Sequence, residues 1–298
     1  MIMISMKHLR YFEAVARHGH FGRAAESCAI SQPALSLQVK ELEDILGSPL
    51  IERGGRRIRL TALGETFAAR ARDILRSVDE LDELARLSRA PFTGSLRLGV
   101  IPTIAPYLLP AFVKALSERH PGIDLRPREA MTRTLVADLL DGRLDAAILA
   151  LPISEPSLVE YPLFSEEFLL VRPMDADDDP APTAGALSEM RLMLLEEGHC
   201  FRDQAIAYCG TPTIRSSGLI EGSSLSTLVQ LVGVGIGVTL VPEMAVPIET
   251  RSASVSVVRL RDPKPTRTVG MIWRRTNPFA DQLAEIAELA RRVGEKAG

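Results

Sequence analysis

Cysteine is scarce in this chain, with three among 298 residues, and the five histidines are scattered, so no group has the spacing of a zinc site. Long apolar runs are missing too: although 46% of the residues are apolar, none of the runs approaches the ~18 residues of a membrane-spanning helix. The first ten residues are not followed by an apolar segment ending in a small-residue cleavage site. No signal peptide is therefore expected, and the expected location is cytoplasmic, without a membrane partner. Thiols there are normally held reduced, and a disulfide is transient rather than structural. A nucleotide fingerprint is also lacking. The run Gly233-Val234-Gly235-Ile236-Gly237 has no third glycine at the dinucleotide spacing and leads from a helix signal into a strand, so it reads as a structural turn. No metal and no cofactor is expected.

The length exceeds what one hydrophobic core usually organises, so two or three domains are expected. Charge is uneven. Residues 1–60 hold nine Lys or Arg against six Asp or Glu, or +3, which leaves −6 for the remainder of a chain whose total is −3. A basic head on an acidic body suggests a nucleic-acid-binding module joined to something else.

Two of the cysteines, Cys200 and Cys209, stand nine residues apart in GHCFRDQAIAYC. On a helix, nine steps place their Cα atoms roughly 13 Å apart with side chains on opposite sides, whereas a disulfide needs about 4.4–6.8 Å. They can join only if the segment unwinds, which suits a redox switch; the spacing equally fits two inert buried thiols. Gly198 is placed to start a helix, and His199 and Arg202 flank Cys200 with cationic groups, a setting that favours a nucleophilic thiolate. Around Cys209 only Tyr208 and Gly210 stand, and neither is activating. That asymmetry suits an attacking and a resolving thiol.

In the head, Leu9, Phe12, Val15 and Ala16 recur at helical spacing, and a second short helix of small residues is expected over 22–28. After a turn at Ala29 and Ile30, Ser31 can cap a third helix with Pro33 in its first turn, burying Leu35, Val39, Leu42 and Leu46. Gln32, Ser36, Gln38 and Lys40 occupy mostly the other face. This is a helix-turn-helix whose second helix can enter a major groove of double-stranded DNA, with Gln32, Ser36 and Gln38 able to bond base edges or phosphates. The stretch 52–59, ERGGRRIR, reads as a β-wing: glycines make the turn, and Arg53, Arg56 and Arg57 reach phosphates. From Thr61, a cap, to about residue 89 one long helix carries Leu63, Phe67, Ala71, Ile74, Val78, Leu81, Leu84 and Leu87 as a stripe suited to pairing with a second copy. Cys28 reads as a small core residue.

Residues 7–89, with FGRAAESCAISQPALSLQVKELEDILGSPLIER at 21–53 and LTALGE at 60–65, resemble the DNA-binding half of LysR-type transcriptional regulators. The segment 199–209 together with IPTIAPYLLP at 101–110 resembles the hydrogen-peroxide-sensing, OxyR branch of that family. One departure is Leu37, where many members carry a basic residue after the recognition-helix serine; a second is a trimmed connection after Gly210. Residue by residue, the resemblance implies that Cys200 is peroxide-reactive and Cys209 resolving, joined in a reversible disulfide. Thr103 and Thr132 would position peroxide, His199 and Asp203 would flank the thiol, and Arg274, with Arg275 as substitute, would stabilise the thiolate. Without the resemblance, Thr103 and Thr132 are ordinary capping or turn residues. On the DNA side it implies Ser31, Gln32, Pro33, Ser36, Gln38 and the wing arginines.

Beyond residue 95, strand signals at 96–101, 145–151 and 168–172 alternate with helix signals at 107–119 and 134–140, which argues α/β with mainly parallel sheets. The resemblance implies an α/β effector domain of two periplasmic-binding-protein-like lobes, preceded by an all-α winged helix-turn-helix domain and a long linker helix. Boundaries are expected at 1–60 for the DNA-binding domain, 61–93 for the linker and 94–298 for the regulatory domain. Lobe I would take 95–164 plus 268–298, and lobe II 165–267. Expected partners are double-stranded DNA, hydrogen peroxide, further copies as a homodimer or homotetramer, RNA polymerase and a cellular thiol reductant. Two other readings stay open: a LysR-type regulator answering a small organic effector between the lobes without thiol switching, and a thiol peroxidase, which the helix-turn-helix disfavours.

Overall fold

Ser5 and His8 close the first turn of α1 (Met6–His18) as a reciprocal cap, and Gly19 ends that helix in the left-handed conformation. The computed structural model to which they belong describes residues 4–52, 58–87, 93–174, 182–183, 185, 187, 190–209 and 220–296. It divides into two units, Met1–Ala90 and Pro91–Gly298.

In the first unit, α2 (Phe21–Ser27) leads through the turn at Cys28–Ile30 to α3 (Gln32–Leu46), with Ala29 at φ 53°. Ser31 caps α3, its hydroxyl accepting from the Ala34 N–H at 3.4 Å. Leu35, Val39 and Leu42 are buried with Phe12, Val15, Ala24 and Ala25, while Cys28 and Leu46 pack against this core half-buried. One carboxylate oxygen of Glu43 accepts from the N–H groups of Leu50 (2.7 Å) and Ile51 (3.1 Å), fixing the chain as it leaves α3. Ile51 then bridges Leu60 antiparallel, the base of the expected wing; Arg53, Arg56 and Arg57 lie outside the described residues.

Thr61 caps α4 (Ala62–Leu87) through the Gly64 N–H at 3.0 Å. Ala68 and Ala71 are buried, and Phe67 meets Phe12 edge-on at 5.6 Å. Leu63, Ile74 and Leu81 remain 45%, 47% and 63% exposed, at steps of eleven and seven that keep them on one side of the helix. No helix among the described residues is long and apolar enough to cross a membrane.

The second unit alternates β1 (Gly94–Val100), α5 (Ala105–Arg119), β2 (Ile123–Glu129), α6 (Thr132–Leu140) and β3 (Ala146–Leu151) before the long β4 (Leu158–Pro173). Then come β5 (Leu192–Leu195), α7 (Cys200–Cys209), β6 (Glu221–Gly222), α8 (Leu225–Gly233), β7 (Val238–Pro242), a 3-10 turn (Glu243–Ala245) and α9 (Val246–Glu249). β8 (Val255–Arg259), β9 (Thr266–Arg274) and α10 (Ala280–Gly294) complete the chain. The strand order is β2-β1-β3-β9-β4-β7-β5-β6, with β8 on β4.

The expectation of mainly parallel sheet needs correcting. β1 pairs parallel with β2 and β3, and β5 with β6 and β7, but β4 and β9 run antiparallel to every neighbour. β4 runs from the first hydrophobic core into the second, with β9 paired along it, and a strand that crosses from one α/β layer to the other cannot keep the direction set by the helical crossovers. The first core gathers β1, α5, α6, β3, α10 and most of β9; the second gathers the end of β4, β5, α7, α8 and β7. Tyr107 of α5 packs against both. The glycine-rich run at 233–237 forms the turn between α8 and β7, as its sequence suggested.

At Gly64 a Cβ would stand 2.1 Å from the Leu50 carbonyl oxygen, a backbone atom that has no room to yield. Gly64→Ala is expected to destabilise the first unit by about 1–3 kcal/mol, seen as a lowered urea midpoint; an unchanged midpoint would mean that α4 can withdraw from Leu50.

Candidate functional site

Gly198, at φ 102°, turns the chain from β5 into α7, whose first turn is closed by the Arg202 N–H on the His199 carbonyl at 3.0 Å. Along α7, Phe201, Ala205 and Cys209 recur every four residues and are buried in the second core. Cys200, one residue before that stripe, is half-buried and packs against the first core instead. Neither cysteine is in a disulfide. An unbroken helix of this length sets their Cα atoms roughly 13 Å apart, so each thiol is held by a different core.

At the first turn of α7, next to Cys200, the Phe201 ring joins a cluster drawn from both cores. Thr103, after β1, is 3% exposed, and its Oγ1 accepts from Arg267 Nη1 at 2.8 Å while its carbonyl accepts from Arg267 Nη2 at 2.9 Å. The Arg267 guanidinium lies 5.7 Å over the ring of Phe201, the residue following Cys200. Phe201 in turn meets Phe168 edge-on at 4.7 Å. Thr132 opens α6, and its Oγ1 is buried without a hydrogen-bond partner among the described residues. His199 is 4% exposed; burial pushes its pKa below the usual value, partly opposed by Glu196 and Glu129. Glu129 ends β2 three residues before Thr132.

Tyr107 closes the group: its hydroxyl donates to Glu249 at 2.6 Å, and Ser226 donates to the other oxygen of Glu249 at 2.5 Å. Burial and the Glu249 contact push the Tyr107 phenol far above its ordinary pKa, so it remains a donor at any physiological pH.

Several sequence expectations need revision here. Arg274 is not brought to the thiol. It ends β9, where Arg267 stands near the start, and seven strand steps separate the two by roughly 24 Å on opposite faces. Its Nη1 donates to the carbonyls of Leu139 (2.7 Å) and Leu144 (2.9 Å). Arg275 is likewise occupied with the carbonyls of Pro156 and Leu158. The expected cationic flank also dissolves: His199 is held toward neutrality by burial, and Arg202 bonds Glu221 at 2.6 Å and the Leu195 carbonyl. Asp203 is an exposed acid in the first turn of α7. The residues that sequence reasoning missed are Arg267, Glu166, Tyr107 and Phe201. A charge embedded in the apolar strand pattern of β9 was the one available signal for Arg267.

On the first unit, Ser31, Gln32, Pro33 and Ser36 are exposed along the start of α3. Leu37 beside them is 64% exposed. Gln38 differs from expectation: it is half-buried and its amide donates to Glu41 at 2.8 Å, so it is the least available of the polar set.

Two domain families match the chain: the bacterial regulatory helix-turn-helix protein, lysR family, over residues 6–65, and the LysR substrate binding domain over residues 89–294. This chain belongs to the LysR family of transcriptional regulators. Within it the chain groups with the OxyR branch. It is 45% identical over 298 residues to a probable hydrogen peroxide-inducible genes activator of Streptomyces viridosporus, covering 98% of this chain and 94% of that protein. Among solved structures, full-length Pseudomonas aeruginosa OxyR with a cysteine-to-aspartate change superposes with a TM-score of 0.78 at 36% identity, covering 97% of this chain and 95% of the other. A cysteine-to-serine mutant of Corynebacterium glutamicum OxyR with hydrogen peroxide bound gives 0.67 at 33% identity, covering 98% and 93%. A LysR-family chain of this kind is a DNA-binding regulator rather than an enzyme, and the expected fold class, including the two-lobed effector domain, is borne out.

Burial alone pushes the Cys209 thiol above its ordinary pKa, while Cys200 is half-exposed. Pulsed alkylation of the native protein near neutral pH, followed by peptide mapping, is expected to label Cys200 well before Cys209. Equal labelling would show that α7 already opens without oxidant.

Proposed function

We propose that this LysR-family regulator senses hydrogen peroxide at Cys200 and converts the oxidation into a changed DNA geometry through a reversible Cys200–Cys209 disulfide. The observation that carries the reading is the seating of the two unbridged cysteines at opposite ends of α7 in two different cores, with Arg267, bonded to Thr103, over the ring of Phe201 next to Cys200. The relatives named above support it, since the Streptomyces protein is named a probable hydrogen peroxide-inducible genes activator and the Corynebacterium OxyR mutant was solved with peroxide bound.

The chemistry balances with the residues available. The Cys200 thiolate attacks one peroxide oxygen, the O–O bond breaks, and the electron pair leaves on the other oxygen, which takes a proton and departs as water. Thr103 and Thr132 hold the peroxide, and His199, largely neutral, serves as a hydrogen-bonding partner. Asp203, exposed in the first turn of α7, places a negative charge near the helix N-terminus. The Cys209 thiol then displaces water from the Cys200 sulfenic acid, forming the S–S bond. A cellular dithiol reductant returns both thiols. Joining them requires α7 to unwind and the second core to repack, which turns the effector domains relative to one another and alters the separation of the recognition helices.

At the DNA, Ser31 and Pro33 set the start of the reading helix, Gln32 and Ser36 reach bases or phosphates, and Arg53, Arg56 and Arg57 contact the backbone. Exposed Leu37 is suited to contact with a thymine methyl where other family members place a charge. The stripe of Leu63, Ile74 and Leu81 pairs α4 with a second copy, giving a homodimer or, by pairing of effector domains, a homotetramer. RNA polymerase is the downstream partner, and the cytoplasm the site of action.

Thiol mapping after micromolar peroxide tests the switch. Cys200→Ser is expected to abolish the peroxide response, and Cys209→Ser to leave Cys200 as a trappable sulfenic acid; induction that survives Cys200→Ser would instead favour a small organic effector between the lobes. Gln32→Ala is expected to reduce discrimination of the cognate operator from random DNA by about 1–3 kcal/mol, read by competition binding at fixed salt. An equal loss on all sequences would assign Gln32 to phosphate contact.

A further inference from the structure

Glu166 lies on β4 just before the chain enters the second core, and its side chain is 5% exposed. One oxygen accepts from Arg267 Nε at 2.8 Å and stands 2.8 Å from Nη2; the other accepts from the Met244 N–H at 3.0 Å. The carboxylate is thus anchored to the backbone on one side and grips the guanidinium on the other. Arg267, its side chain wholly buried, spends its remaining reach on Thr103, donating to both the hydroxyl and the carbonyl oxygen.

The direction of these bonds matters. A guanidinium only donates, so Thr103 Oγ1 must accept from it, and the single hydroxyl hydrogen remains for another acceptor. Among the described residues the Thr103 hydroxyl donates to no group. A guanidinium bond also withdraws electron density from the oxygen, which makes the remaining O–H a better donor.

We propose that Glu166 is a positioning residue for peroxide chemistry at Cys200: by locking the plane of Arg267 it holds the Thr103 hydroxyl as a donor aimed at the departing peroxide oxygen. This rests on the reading that Cys200 reacts with hydrogen peroxide. As sulfur bonds to one oxygen and the O–O bond breaks, negative charge grows on the other; a fixed donor there lowers the barrier only if it does not have to reorient. Arg267 alone, free to rotate, could satisfy Thr103 through other nitrogens with the hydroxyl turned elsewhere.

The test compares two rates at Cys200 in the full-length reduced protein: oxidation by hydrogen peroxide, and alkylation by iodoacetamide, which reads thiolate content and access without an O–O bond to break. Glu166→Gln, which keeps the shape and an acceptor but loses the charge, is expected to slow peroxide oxidation roughly tenfold or more and to leave alkylation nearly unchanged. On a Thr103→Val background the same change should cost little further. A parallel fall in both rates, an unchanged peroxide rate, or an undiminished effect in Thr103→Val would each overturn the proposal. Should Glu166→Gln not fold, Arg267→Lys serves: it retains the buried charge pair but cannot span Glu166 and Thr103 together, and the same selective loss is expected, with an unchanged peroxide rate overturning the idea. If wild-type Cys200 is alkylated yet never oxidised by peroxide, the functional reading itself fails, a result distinct from an unaffected Glu166 variant.

Discussion

One buried guanidinium ties together the segments that meet at the first turn of α7. Arg267 touches Glu166 from the crossing strand β4, Thr103 from the loop after β1, the Phe201 ring from α7, and at 4.0 Å the sulfur of Met244 from the turn after β7. Those four segments come from both cores. Removing a charge of this kind from water is costly, and the cost is recovered only when nearly every donor is met in good geometry. The arrangement is therefore close to all-or-none: displacing Phe201 or Thr103 leaves a buried cation short of partners, and the structure must find another packing rather than drift. A site with that property suits a switch better than a hydrophobic contact, whose loss is gradual.

The helix that carries the thiols has little stability of its own. At ten residues α7 falls below the length at which isolated helices persist in water, and its formation relies on burying Phe201, Ala205 and Cys209 in the second core. Cys200 belongs to the other core. Its side chain thus forms a clasp across the two lobes, and modification of the thiol disturbs a contact that the helix by itself could not defend. Tyr107 is a second clasp, since it packs against both cores and donates to Glu249. Of the two, only the cysteine can be changed by an oxidant under cellular conditions, which makes it the natural point of control in the proposed mechanism.

The helix-turn-helix was legible in the sequence because its signals are local. Ser31 with Pro33, the apolar steps through Leu35, Val39 and Leu42, and the cap at Thr61 each act within a few residues, and those elements lie where the pattern placed them. The separation of the two thiols was legible for the same reason, since helical geometry fixes it once α7 exists. What failed was everything decided between distant segments. Arg274 and Arg267 look alike in the sequence, and only strand pairing reveals that they sit at opposite ends and on opposite faces of β9. Arg202 sits two residues after Cys200, yet Glu221 and the Leu195 carbonyl claim it. Antiparallel β4 and β9 were invisible because short apolar strands carry no record of direction.

The asymmetry of the two thiols imposes an order on the proposed switch. Burial keeps Cys209 protonated and out of reach, so it is a poor nucleophile while α7 is intact. Both features disfavour its condensation with small oxidised thiols in the surroundings and its competition for peroxide. In the proposed switch oxidation therefore begins at Cys200, and the unwinding that follows would carry Cys209 across the helix and return it to water, where its pKa relaxes and its reactivity rises. Geometry and protonation thus fall together, in one step, when the helix opens. A resolving thiol left exposed on the surface of α7 would have the same spacing from Cys200 but none of this protection, and the switch could be tripped by any oxidised thiol in solution.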